Sequence, residues 1–190
     1  TTLSGGPVTD AFRPDGLPVP RTDFETAVVE FLADLFEAYP TWGTGVGYHR
    51  VDGRWPDLTE AGRTARLATF AGHRERLEGF ATAGLTADES VDRAILLEEI
   101  EKVVFGETVL RSEAWDPLEL VYLVGGGLFG VLSREYAPWS ERGAALLARI
   151  EGLPELLSRG ASVNAIPGES VRRPKRRGGS SAKRAGTRIE

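Results

Sequence analysis

The chain has 190 residues, 41% of them hydrophobic, a formal net charge of −5, and no cysteine. That length suits one domain with tails, and that composition supports a core. The missing cysteine excludes disulfides and thiolate metal sites, and with only two histidines, His49 and His73, a His-rich zinc site would need both.

The charge is uneven. Residues 172–190 carry eight basic side chains and one acidic, so the remainder is strongly acidic. The opening TTLSGG has no charged region leading into an apolar one, so no signal peptide is expected; the expected location is cytoplasmic. No apolar run approaches the roughly 18–20 residues of a membrane span.

In chain order, residues 1–20 are rich in Gly and Pro, lack periodicity and are expected to be a disordered lead-in. A helical domain is expected over 21–163. Thr22-Asp-Phe-Glu25 reads as a capping box. Phe24, Val28, Phe31, Leu32, Leu35 and Phe36 then give one apolar face, and Tyr39-Pro40 stops the helix. Residues 41–58 combine glycines with aromatic residues without a clean period. A short helical turn is possible at 41–46, and the remainder reads as a long connection suited to binding.

Thr59 caps the second main helix, with Leu67, Phe70, Ala71, Arg74, Leu77 and Phe80 on its inner face and Gly84 at its left-handed C-terminal position. Thr86-Ala-Asp-Glu89 is a second capping box. Val91, Ala94, Ile95, Ile100, Val103 and Val104 mark the face of the helix that follows, which runs to about Glu113. Asp116 is an N-cap with Pro117 in the first helical position. The segment it starts, 118–132, is nearly uncharged and expected to be buried in protein. Its glycines 125–127 cost about 1 kcal/mol each against alanine, which implies close packing of another backbone or a break into two helices. A fifth helix is expected over 139–152 and a sixth from Pro154 to about Val163. No segment alternates with period two, so the fold class is all-α, a multi-helix array of about six helices with disordered N- and C-terminal tails.

After Asn164 large apolar residues nearly vanish, so 164–190 is expected to be a basic disordered tail. It can bind nucleic acid non-specifically through phosphates. Equally, a sudden run of Arg, Gly, Ser, Ala and Pro is what out-of-frame reading of GC-rich DNA produces, and the chain has few lysines.

The chemistry-bearing candidates are sparse. His49 with Asp52 in YHRVDGRW could be a ligand or general base with its orienting carboxylate, or a loop histidine bonded to backbone. Glu98, Glu99 and Glu101 with Asp92 read as a solvated acidic face, because the Glu-x-x-His partners of carboxylate metal bundles are missing. His73 lacks a second histidine at helical metalloprotease spacing, since that position is Leu77, and is expected on the surface. GGGLFG lacks the G-K-[ST] ending of a phosphate loop. No catalytic residue and no metal ligand is assigned.

Four segments, GYHRVDGRWPDL (47–58), VDRAILLEEIE (91–101), WDPLELVYLVGGGLFGVLSREYAP (115–138) and ERGAALLARIEGLPELL (141–157), occur in an order that resembles the large bacterial domain-of-unknown-function family 885. The resemblance runs from about Thr22 to about Ala161. It implies a long helical protein similar to zinc metallopeptidases of the gluzincin clan. That family's zinc element resembles an H-E-x-x-P-G-H variant in the C-terminal half, and nothing like it occurs in this sequence. The expectation is therefore an N-terminal helical fragment that is not catalytically competent alone, with zinc only in a full-length family member. By the same analogy Tyr48, His49 and Asp52 would line a cleft. Apolar helix faces left exposed, and self-association through them, are expected too. The alternative is a small helical interaction module whose basic tail binds nucleic acid.

Overall fold

A computed structural model describes Arg13 and residues 16–163. The expectations for 1–12 and for the basic tail lie outside these residues. Six α-helices follow one another, α1 (Asp23–Ala38), α2 (Pro40–Val46), α3 (Glu60–Glu78), α4 (Ala87–Phe105), α5 (Pro117–Ser133) and α6 (Trp139–Val163), with no strand among the described residues.

The helix starts follow from local chemistry. The Thr22 hydroxyl accepts from the Glu25 N–H, Thr59 from Gly62 and Thr86 from Glu89, while the Asp116 carboxylate accepts from Leu118. Each satisfies a backbone donor that the first turn leaves open. Only at Thr86 is the box reciprocal; Glu25 instead accepts from the N–H of Arg21. Gly47 ends α2 at φ 96, a conformation that a side chain disfavours. Helix C-termini are closed from a distance by arginines. Arg93 donates to the carbonyls of Leu77 and Glu78 at the end of α3. Arg142 donates to Val131 and Leu132 at the end of α5, where a cation also opposes the negative helix end.

Two layers result. α1 packs on α3 and α3 on α4, around Phe24, Phe31, Leu35, Phe70, Leu77 and Ile100. Leu17, ahead of α1, and Val51 in the connection join that core. α5 packs on α6 and on α2, which also touches α1 and so ties the layers together.

Several expectations need correction. α3 ends at Gly79, five residues before Gly84, and both glycines have ordinary negative φ; Gly84 closes a 3-10 turn. His73 is buried, because 70, 73 and 77 share the inward face of α3. It meets the Phe31 ring edge-on at 5.5 Å and bonds Asp34 at 2.8 Å. On α4 the inward residues are Leu96 and Ile100, whereas Val91 and Ile95 face outward. That helix gives way at Gly106 to a π-helical turn, Gly106–Leu110, and Arg111 at φ 44. α6 is continuous through Pro154, although a proline inside a helix costs about 3 kcal/mol. Each of its halves has its own close contact, Gly152 against Trp55 and Gly160 against Leu120, and a break at Pro154 would put them out of register.

The largest correction concerns α5. It is unbroken, but among its residues only Gly127 and Val131 are buried. The close approach that its glycines imply exists at Gly127, where an added Cβ would lie 2.4 Å from the Trp55 ring; at Gly125 and Gly126 it would meet nothing within 4 Å.

Candidate functional site

Between the two layers lies a buried polar cluster that three separate segments supply. The connection after α2 turns through a 3-10 helix, His49–Val51, which brings His49 and Asp52 to one side. His49 Nδ1 lies 3.0 Å from Asp52 Oδ2. A carboxylate only accepts, so Nδ1 is the donor in this contact, and Nε2 takes no part in it. Tyr136, beyond the end of α5, donates its hydroxyl to the same Asp52 oxygen. Its ring stacks on His49 with centroids 3.5 Å apart and planes 6° from parallel. Asp52 is buried and His49 half-buried. Tyr48 is buried in the core against Phe36, with ring centroids 5.3 Å apart.

From the other side comes Arg149 of α6, which is fully buried. It donates to the Gly127 carbonyl, to Thr44 Oγ1 at 2.7 Å and to the Pro40 carbonyl at 3.5 Å. Its guanidinium lies 5.4 Å from the centre of the Trp55 ring, and Trp55 Nε1 donates to the Arg149 carbonyl at 2.8 Å. Burial pulls the Arg149 pKa below its ordinary value, and the negative Asp52 opposes that shift. Asp52 Oδ1 and Arg149 Nε are buried without a hydrogen-bond partner among the described residues, so each keeps capacity for one more bond.

Sequence reasoning picked out Tyr48, His49 and Asp52 but missed Trp55, Tyr136 and Arg149. No local pattern distinguishes these three; the only available signal was that they sit in three of the four segments carrying the family resemblance. The structure joins those segments here.

A second polar group lies beside Tyr39, the residue that precedes α2. Arg66 forms a two-pronged pair with Glu107 at 2.8 and 2.9 Å, Tyr39 donates to Glu107 at 2.7 Å, and Arg63 donates to the Glu107 carbonyl. These residues border a cavity of about 680 Å³, which Trp42, Leu120, Leu123 and Arg111 also line. Tyr48, His49 and Asp52 are not among its lining residues. The acidic face of α4 is solvated, with Glu98 and Glu99 paired to Lys102. Among the described residues no group of three or more His, Asp and Glu side chains is placed to hold a metal ion.

Tyr39 and Tyr136 are both pushed above the usual 10, first by burial and then by the carboxylates they bond, Glu107 and Asp52. A raised acid pKa favours the neutral form in the folded state. The stability it contributes is complete below pH 10 and is lost as pH rises through the folded values. In an absorbance titration, a late phenolate phase coinciding with loss of helix is expected, and Y39F plus Y136F should diminish it. Ionisation of both groups at pH 10 in a fully helical protein would refute these contacts.

A solved structure of a protein of unknown function from Shewanella oneidensis, described as a lipoprotein, superposes with a TM-score of 0.68 at 28% identity. The match covers 75% of this chain and 26% of that one, so the present chain corresponds to about a quarter of its length. No curated protein matches the chain significantly. The family model described as bacterial protein of unknown function, DUF885, matches residues 40–175, a span that holds the whole polar cluster and continues twelve residues past Val163. On that match the chain belongs to the DUF885 family.

Proposed function

We propose that this chain is the N-terminal helical part of a metallopeptidase-like fold, forming one wall of it, and that it is not catalytically competent alone. The observation that carries the reading is the match of three quarters of this chain to about one quarter of a longer structure. The absence of any H-E-x-x-H-like element from the sequence supports placing the chemistry in the rest of such a protein. The Asp52–Arg149 cluster then braces the wall from inside. Asp52 and Tyr136 hold the His49 ring so that its Nε2 is the group left to face a cleft, with Tyr48 behind it in the core.

The test is peptide hydrolysis by the purified chain with added zinc. No chelator-sensitive cleavage is expected; cleavage that zinc restores after chelation would sink the reading. On location, the cytoplasmic expectation competes with the lipoprotein description of the Shewanella protein. Fractionation of the producing bacterium decides, and recovery of the chain with the envelope would remove the cytoplasmic alternative.

A further inference from the structure

Among the described residues the outer face of α5 has no partner. At 100° per residue, Leu118, Val121, Tyr122, Gly125, Phe129 and Leu132 fall within a sector of about 100°. That sector is opposite buried Gly127 and Val131. Tyr122 is 71% exposed and Phe129 68%, and Leu118, Val121 and Leu132 are exposed too. Surface helices normally turn charge outward; here the only charged residue of α5 is Glu119, one helical step off the sector. Gly125 stands at the sector's centre with open space where a Cβ would be, so its helix cost has no compensation inside the described chain.

We propose that this face pairs with α5 of a second copy of the chain, antiparallel, about a two-fold axis at Gly125. The inference goes beyond the wall reading and does not depend on it. The spacing is symmetric about Gly125: Leu118 and Leu132 lie seven residues to either side, Val121 and Phe129 four. A two-fold pair requires this, since residue i must meet j while j meets i. Leu118 then packs on the partner's Leu132, Val121 on the partner's Phe129, and the glycines let the helix axes approach. Antiparallel pairing also sets the positive end of each helix against the negative end of the other, and no like charges meet. With Trp115, 61% exposed just ahead of Leu118, the face offers on the order of 700 Å² per copy, near the roughly 800 Å² per partner of a standard stable interface.

The chain has no native cysteine, so G125C places one thiol on the proposed axis. Sedimentation of the wild-type chain should show a dimer. F129E should raise the dimer dissociation constant at least about tenfold with helical circular dichroism unchanged. Mild oxidation should link G125C into dimers but not G72C, on the far layer in α3. A wild-type chain that stays monomeric overturns the proposal, and its binding to phospholipid vesicles or an apolar dye would assign the face to lipid or to another part of a longer family protein. A dimer that survives F129E, or that links through G72C as readily as through G125C, overturns the α5 placement.

Discussion

Replacing Arg149 by alanine is expected to destabilise the fold by about 3–5 kcal/mol, the range for breaking a buried charged network. The side chain is fully buried and reaches α2 and α5 at once, through Thr44, Pro40 and the Gly127 carbonyl. Its loss removes donors from buried acceptors, empties the space beside Trp55, and leaves Asp52 without its nearby opposing charge. Urea unfolding followed by circular dichroism reads this as a lowered midpoint at unchanged slope. R159A is the control, because that side chain is 40% exposed and pairs on the surface with Glu155 and Asp57; its effect should stay within about 1 kcal/mol. Equal midpoints for R149A and wild type would show that the cluster does not join the layers.

G127A is the second large effect, expected to cost about 1–3 kcal/mol through overpacking. The new methyl group would sit 2.4 and 2.7 Å from Trp55 ring carbons and 3.0 Å from Thr41 Cγ2. The indole cannot swing aside freely, because its N–H is bound to the Arg149 carbonyl and its face lies under the guanidinium. One residue earlier the sign reverses. At Gly126 nothing lies within 4 Å, so G126A should stabilise by up to about 1 kcal/mol, the helix-propensity gain. Thermal melts of the two variants separate these outcomes, and a common sign would contradict the packing of α5 described above.

These contrasts mark what the sequence can express. Caps are local chemistry, and the threonines at 22, 59 and 86 and Asp116 all sit where a side-chain oxygen is needed within three residues of itself. The all-α class follows from the same short-range periodicity. Burial depends on partners distant in the chain. GGG cannot say that its third glycine meets Trp55 while the first two face outward, and the apolarity of α5 reads as burial although that helix lies at the surface. Pro154 reads as a stop because the contacts that hold α6 together around it come from Trp55 and Leu120. His73 reads as a surface residue because its Asp34 partner lies on another helix. In the site, the three-residue step from His49 to Asp52 is visible locally. Tyr136 and Arg149 reach the same carboxylate's surroundings from 84 and 97 positions further on, and nothing local announces them.

As proposed, the chain forms a wall of a larger fold, and such a wall carries no metal chemistry of its own. Equilibrium dialysis of the purified chain against micromolar zinc, with the bound metal counted by mass spectrometry, tests it most directly. Well below one zinc per chain, unaffected by H49A, is the expected result. One tightly held zinc per chain that is lost in H49A would contradict it and make the His49–Asp52 pair part of a metal site.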